Sequence, residues 1–268
     1  MDETAYAKIN LALHVRGREA DGFHRIETIF AFCEEGDRLS VAPADTIGLS
    51  ITGRFAGTLT AGEDNLVLRA ARALAAYCGT RRGAAIALEK NLPVAAGLGG
   101  GSADAGAALR LLCRFWDVTP SEEELLALAA PLGADVPACL VSRTSRGDAR
   151  GDRLTPWNEL DLAGTPVLLV NPAVPLSTAA VFRAWDGIDR GPLSGLEGSR
   201  NDLELPATEL VPEVADALES LADAAVARMS GSGATCFGLY RDPAARDAAA
   251  VRIRAAHPGW WTLATRLR

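Results

Sequence analysis

The sequence is short of the residues that mark secreted, zinc-binding and membrane proteins. Its 268 residues include five cysteines, none of them in a CxxC pair, so neither a disulfide framework nor zinc-ligand spacing is present. The longest uncharged stretch, residues 162–182, contains three prolines and therefore does not fit a membrane-spanning helix. We therefore expect a protein with reduced thiols that works in the cytoplasm.

Positive charge is also in short supply. The 27 lysines and arginines are outnumbered by 34 aspartates and glutamates, which gives a formal net charge of −7 at pH 7. Such a surface repels phosphate backbones and anionic lipid, so we expect neither nucleic acid nor a membrane as a partner. The first residues, Met1-Asp2-Glu3, are acidic where a signal or transit peptide would be basic. The excess of acidic residues is compatible with small-molecule substrates. Hydrophobic residues make up 49% of the chain, which is enough for a globular core.

The first half of the chain predicts a β-sheet followed by helices. In residues 5–15 the odd positions from 7 onwards are apolar, while Lys8, Asn10 and His14 share the other side, which is typical of a strand with one face in a core. A helical pattern begins after Asp64, which we expect to be its N-cap, and a second one follows a glycine-rich segment. Further strands are predicted at residues 23–32, 38–41, 47–52 and 83–89.

The second half alternates strands and helices. The strands are predicted at residues 167–170, 226–229, 235–240 and 260–267. A polar segment at 142–153 predicts a surface hairpin close to a domain boundary. The fold class is therefore α+β, with two lobes that share a crevice, one formed by residues 1–153 and the other by residues 154–268.

The strongest functional signal is a glycine-rich segment ahead of a helix. Four of the five residues 97–101 are glycine, and a serine follows where we expect the helix to open. Such a segment presents backbone N–H groups and the positive end of a helix dipole to an anion, which indicates phosphate binding. It is not a Walker A loop, because no Lys-Ser/Thr pair follows the last glycine. The segment consists of Pro93, Val94, Ala95, Ala96, Gly97, Leu98, Gly99, Gly100, Gly101, Ser102 and Ala103.

Three further features are ambiguous when they are taken alone. The SGSGAT run at 230–235 is either a second phosphate turn or an ordinary serine-glycine turn. Lys8 is either a functional cation or an edge-strand lysine that blunts strand pairing. Asp135, in the sequence GADVP, is either a functional carboxylate or a helix N-cap with proline close behind it.

Together these motifs resemble the GHMP kinases, the family of galactokinase and of homoserine, mevalonate and phosphomevalonate kinases. The resemblance rests on AKINLALHV near the start, PVAAGLGGGSADA, GADVP and the late SGSGATCF, in family order. It implies an amino-terminal domain like the second domain of ribosomal protein S5 and a ferredoxin-like carboxyl-terminal domain. It further implies that ATP binds at residues 93–103 and that Lys8 and Asp135 are the catalytic pair.

The resemblance is strongest to a branch of the family whose acceptor ends in a cytosine. It implies that Asn65 and Lys90 surround the adenosine, that Asn10 faces the polyol of the acceptor, and that Thr178 touches its diphosphate or polyol. The cytosine would lie near Phe23, His24 and Phe182. The chain departs from the family in having Phe23 where tyrosine is usual, and Ala149-Arg150-Gly151-Asp152 where a GxGE hairpin is favoured.

The expected cofactors are ATP as co-substrate and Mg²⁺ bridging its phosphates, with no protein ligand assigned to the metal. Two alternatives stay open. The chain could be a GHMP kinase for mevalonate, homoserine or a sugar, although none of these acceptors has a base for the aromatic residues to stack on. A non-catalytic nucleotide-binding or nucleic-acid-binding module is the other alternative, which the net charge of −7 disfavours.

Overall fold

Two long strands begin the fold, β1 at Asp2–Arg18 and β2 at His24–Ala42. The structure is a computed structural model that describes residues 1–268, apart from the side chain of Thr58. The alternation read from the sequence correctly predicts β1, but the expectation of a single buried face is wrong. Lys8, Asn10 and His14, on the polar side, are as buried as the apolar residues between them.

The chain folds into two compact units, and each is built from three separate segments. The first unit comprises Met1–Ala7, Glu35–Val94 and Gly99–Ser142, and the second comprises Lys8–Glu34, Ala95–Leu98 and Arg143–Arg268. Each of the strands β1 and β2 therefore contributes its two ends to different units. The domain boundary near residue 153 stays a prediction.

The first unit combines a small sheet with four helices. Strand β4 pairs with the end of β2 in antiparallel fashion and with β3 in parallel. Helix α2 contacts both α1 and α4, and its alanine-rich sequence buries almost every residue from Ala103 to Leu112, so the helices can approach closely. The elements are β3 (Ile47–Thr52), α1 (Leu66–Cys78), β4 (Ala84–Glu89), α2 (Gly100–Trp116), α3 (Glu122–Ala129) and α4 (Val136–Val141).

The start of α1 differs by one residue from the sequence prediction. Asn65, and not Asp64, is the N-cap, and its Oδ1 accepts the Val67 N–H at 2.9 Å. Both residue types cap helices well, so the sequence pattern could not distinguish neighbouring candidates. Gly79, in the left-handed conformation at φ +64°, ends the helix.

The second unit contains a four-stranded antiparallel sheet with the ferredoxin-like order that the sequence resemblance implies. The strands lie side by side in the order β10-β7-β9-β8. Strand β7, the first of the four along the chain, therefore lies between β10, the last, and β9, the third. The core between this sheet and its helices includes Leu168, Val170 and Met229. The strands are β7 (Pro166–Asn171), β8 (Val226–Met229), β9 (Cys236–Leu239) and β10 (Trp261–Arg266); the helices are α5 (Thr178–Ala184), α6 (Glu204–Leu210), α7 (Glu213–Ser220) and α8 (Pro243–Ala256).

The predicted surface hairpin is present in the second unit. It consists of β5 (Ser145–Asp148) and β6 (Arg153–Pro156), and β5 also pairs with residues 28–30 of β2. Among the described residues, no helix combines the length and the apolar composition that a membrane crossing requires.

Candidate active site

The glycine-rich segment has the backbone of an anion-binding turn. Ala95, Gly97 and Gly99 all have positive φ, at +53°, +78° and +63°. Gly99 is the N-cap of α2, which begins at Gly100, so Ser102 lies third in the helix and the expectation that it opens the helix is wrong. The first N–H groups of a helix have no partner within the helix, and together with the helix dipole they attract an anion.

The second glycine turn, at residues 230–235, holds the middle of this segment. The Ser230 hydroxyl donates to Gly97 O at 2.8 Å, and the Thr235 N–H donates to Ala96 O at 3.1 Å. The two backbones are so close that a Cβ atom on Gly97 would lie 2.3 Å from Ser230 O. The weaker of the two glycine signals in the sequence is therefore a structural support for the stronger one.

Lys8 is held in a fixed position inside the second unit. Lys8 is only 3% exposed, so it does not protect an exposed sheet edge from further pairing. Its Nζ donates to Asn10 Oδ1 at 2.7 Å, and Asn10 Nδ2 donates to Thr28 Oγ1 at 2.8 Å, which fixes the amide orientation. The Asn10 N–H also donates to Ser230 Oγ at 3.1 Å. Asn10 thus links the Lys8 ammonium group to the second glycine turn.

Asp135 belongs to the first unit and precedes α4. It occupies the N-cap position, but its side chain accepts no capping hydrogen bond from the described backbone, so capping does not account for the residue. Helix α4 is fixed by α2: a Cβ atom on Gly106 would lie 2.7 Å from backbone atoms of Cys139. Arg110 of α2 also donates to Cys139 O at 2.7 Å.

The side chain of Lys90 is buried in a cluster of ionisable groups. The resemblance implies that Lys90 lies around the adenosine, and this stays a prediction. Its side chain is 2% exposed, and its ammonium group donates to Asp37 and to Asp104. Direct contact between that ammonium group and adenosine would require these two bonds to break. The sequence did not single out Asp37 or Asp104, and neither has a spacing relative to Lys90 that indicates the contact.

Burial governs the ionisation of this cluster. It raises the pKa of the Asp104 carboxyl to about 7, even though the Lys90 charge acts in the opposite direction. Burial alone would lower the pKa of Lys90, but the Asp104 and Asp37 carboxylates outweigh it, so the pKa of Lys90 is raised. Lys90 is therefore a cation at neutral pH.

Asn65, the other residue expected near the adenosine, is partly exposed at the start of α1. Besides capping α1, its Nδ2 donates to Thr60 O at 3.1 Å. Asn65, Lys90 and residues 99–103 lie in the first unit together with Asp135. Lys8 and the residues expected around the acceptor, Asn10, Phe23, His24, Thr178 and Phe182, lie in the second.

Aromatic rings gather in the second unit where the cytosine is expected. The His24 and Phe182 ring centroids are 4.9 Å apart, too close for a base to lie between these two rings. Trp185, which sequence reasoning missed, packs its ring edge-on to His24 at 5.7 Å. Burial lowers the pKa of His24, and Arg18 lowers it further, so the ring is neutral at pH 7 with one donor and one acceptor nitrogen.

Phe23 is available on one face only. It is 53% exposed, and the Arg150 guanidinium lies over its ring at 3.8 Å from the centroid. Arg150 also pairs with Asp21. The departure from the usual hairpin sequence was the one signal that could have identified Arg150. Thr178, the remaining predicted contact, is exposed and shares a 2.8 Å hydrogen bond with Ser232 Oγ.

The described residues contain no group of three histidine, cysteine, aspartate or glutamate side chains arranged to hold a metal ion. Mg²⁺ in phosphoryl-transfer sites is bound largely by phosphate and water oxygens. A Mg²⁺ ion bound in that way needs no three-residue protein cage.

Comparison with known proteins gives the same family over both halves of the chain. The N-terminal domain of GHMP kinases matches residues 65–143, and the C-terminal domain of GHMP kinases matches residues 189–259. A protein of Rhizorhabdus wittichii named 4-diphosphocytidyl-2-C-methyl-D-erythritol kinase is 53% identical, over 99% of this chain and 94% of its own. A protein of the same name from Sphingopyxis alaskensis is 50% identical, over 100% of this chain and 99% of its own.

Solved structures agree with the sequence relatives. A crystal structure of 4-(cytidine 5'-diphospho)-2C-methyl-D-erythritol kinase superimposes with a TM-score of 0.84 and 35% identity, covering 100% of this chain and 99% of the other. The mevalonate kinase of Methanococcus jannaschii reaches a TM-score of 0.73 at 10% identity, which is a likeness of fold alone.

Proposed function

The chain belongs to the GHMP kinase family, and we propose that it transfers the γ-phosphoryl group of ATP to the 2-hydroxyl of 4-diphosphocytidyl-2-C-methyl-D-erythritol. The products are ADP and the 2-phosphate of the acceptor, an intermediate of the non-mevalonate route to isoprenoids. The observation that carries this proposal is the similarity, along nearly the whole chain, to relatives that bear the name of this kinase.

The residues around His24 support the choice of acceptor. Mevalonate, homoserine and galactose have no base, so a cluster of aromatic rings would add little stacking energy to their binding. A cytosine can stack on the open face of Phe23, and such stacking contributes about 1–3 kcal/mol per base. The neutral His24 ring can exchange hydrogen bonds with the edge of the base.

We propose Lys8 and Asp135 as the catalytic residues. The transition state of phosphoryl transfer is loose, so positioning and charge neutralisation matter more than early deprotonation. Asp135 orients the acceptor hydroxyl and accepts its proton as the oxygen–phosphorus bond forms. Lys8, whose ammonium position is set by Asn10, neutralises charge on the transferred group.

ATP is the co-substrate, and we propose that it is used as Mg-ATP. The metal, when bound, supplies positive charge to the phosphate oxygens. The N–H groups of Gly100, Gly101 and Ser102 would contact those phosphates from the start of α2. We also propose a bacterial cytoplasmic location, small molecules as the only partners, and a domain boundary close to residue 153.

The test is ADP release from Mg-ATP with four acceptors in parallel: the cytidylated acceptor, mevalonate, homoserine and galactose. We expect turnover with the cytidylated acceptor alone. Turnover with another acceptor would overturn the substrate assignment but leave the kinase. ATP binding without any turnover would favour the non-catalytic nucleotide-binding alternative.

The variant Phe23→Ala tests the base-recognition part of the proposal. We expect the KM for the cytidylated acceptor to rise about tenfold or more, because a stacking surface is lost, while the KM for ATP stays unchanged. The matched control is Phe115→Ala, which removes a ring that also lies under an arginine, Arg82, at the far end of α2. An effect confined to the KM for ATP would show that Phe23 lies near ATP and not near the cytosine of the acceptor.

A further inference from the structure

Three buried ionisable side chains lie beside the start of α2, and the proposed mechanism does not use them. Asp37, Lys90 and Asp104 have 0%, 2% and 4% of their side chains exposed. Removing charges from water is costly, and apolar side chains of similar volume often give equal or greater stability. Stability therefore does not explain why this unit contains such a cluster.

One carboxylate of the cluster fixes the chain just ahead of the glycine-rich segment. Asp37 Oδ1 accepts the Asn91 N–H at 2.5 Å and the Leu92 N–H at 2.8 Å. These two residues directly precede Pro93, where the segment begins. Asp37 thus holds the entry to the segment through its backbone.

The other carboxylate fixes the chain just after the glycine-rich segment. Lys90 Nζ donates to Asp37 Oδ2 and, at 2.7 Å, to Asp104 Oδ2 on α2. The same ammonium group would lie 3.4 Å from a Cβ atom on Gly100, the first residue of the helix. The first turn of α2 therefore contacts the ammonium group of Lys90, and Lys90 connects this turn to Asp37.

The burial of Asp104 lowers the stability of the folded chain. Its second oxygen, Oδ1, is buried and has no hydrogen-bond partner among the described residues. A buried oxygen without a partner is destabilising. An aspartate at this position is therefore poor as a core residue, and its contribution is the bond to Lys90.

We propose that Asp37, Lys90 and Asp104 are positioning residues for ATP, because they hold both ends of the glycine-rich segment in one geometry. The glycines of the segment have no side chains to pack, so their backbone geometry must be set by residues outside the segment. With its ends fixed, the segment directs the N–H groups of Gly100–Ser102 towards the phosphates. This inference rests on the proposed function, which assigns ATP to that segment.

Two substitutions of one residue separate this role from simple packing. Asp104→Asn retains an oxygen that accepts from Lys90, whereas Asp104→Leu has a similar volume and no acceptor; in both, Lys90 keeps Asp37 as a neutralising partner. We expect Asp104→Asn to bind ATP within about threefold of the wild type, and Asp104→Leu to bind it at least about tenfold more weakly. The KM for the cytidylated acceptor should stay within about threefold in both variants.

Leu112→Ala is the stability control, since it opens a cavity under a fully buried residue on the same helix, away from the segment. The inference is overturned if Asp104→Leu binds ATP like the wild type, or if Leu112→Ala weakens ATP binding as much at an equal loss of melting temperature. ATP affinity is measured by calorimetry on the full chain. A wild-type protein that neither binds nor uses ATP would instead overturn the proposed function.

Discussion

Asp135 precedes helix α4 without capping it, so the carboxylate can be changed with little effect on the helix. Asp135→Asn keeps the shape of the side chain and removes its basicity. Because general-base assistance contributes about 10²–10⁴ in rate, we expect kcat to fall at least about 10²-fold while ATP binding stays within about threefold. Steady-state kinetics and calorimetric titration with ATP provide the two readouts.

Asp117→Asn is the matched control for this prediction. Asp117 ends α2 in the left-handed conformation, which asparagine also adopts readily, so the same change of atoms should leave turnover unaffected. A kcat for Asp135→Asn within about fivefold of the wild type would exclude Asp135 as the base.

At the residue scale, the chemical types could be predicted from the sequence but several of their partners could not. The alternation in β1 correctly places Lys8 and Asn10 on one side of the strand, where they are hydrogen-bonded. Nothing in the neighbourhood of Lys90 shows that Asp37, 53 residues earlier, binds its ammonium group. Such pairs are created by tertiary packing, and a single sequence contains no trace of them.

At the scale of elements, the glycine-rich segment depends on close contact with the turn at 230–235. Gly97→Ala would force its Cβ to within 2.3 Å of Ser230 O at a φ of +78°, so the two backbones must separate. We expect kcat/KM for ATP to fall at least about tenfold and the melting temperature to decrease. Kinetics and thermal unfolding of the purified variant test both.

Gly259→Ala is the corresponding control, because its Cβ would meet nothing within 4 Å and the position needs no positive φ. Both variants add the same methyl group, so they differ in local crowding and in the positive φ that only Gly97 has. If Gly97→Ala behaved like Gly259→Ala, the contact with Ser230 would be irrelevant to nucleotide use.

The periodicity of apolar residues predicted the positions of the strands well, but it predicted the burial of their side chains poorly. It correctly predicts β1 and the four strands of the ferredoxin-like sheet, while the polar composition of residues 142–153 predicts the hairpin. It does not predict that the polar side of β1 is buried, because that burial depends on partners such as Ser230, which is 220 residues away from Asn10. The N-cap of α1 was misplaced by one residue because two good capping residues are adjacent.

At the scale of the whole molecule, stability should depend on pH through His14. The ring is buried; its Nδ1 lies 3.2 Å from Gly191 O. Burial, and secondarily the Arg200 charge, lowers the pKa of His14 below its usual value near 6.5. Above about pH 6.5 the ring is neutral in both the folded and the unfolded chain, and its full contribution to stability is present.

As the pH falls below about 6.5, the unfolded chain binds a proton before the folded chain does, so stability is lost as the pH approaches the lowered pKa. His14→Gln cannot titrate and should be less sensitive to acid. We expect the difference in free energy of unfolding between wild type and variant to shrink from about pH 7.5 to about pH 5 in urea titrations. His257→Gln, at a partly exposed ring stacked on Trp260, is the control; equal slopes for all three proteins would contradict the prediction.

The alternation of the two compact units along the chain has a consequence for biosynthesis. Residues 8–34 belong to the same unit as residues 143–268, so they leave the ribosome long before the strands that complete that unit. The other unit has all its residues once position 142 has been translated. The nascent chain therefore exposes residues of this early segment that are buried in the finished unit, and chaperone contact during translation should concentrate on that segment.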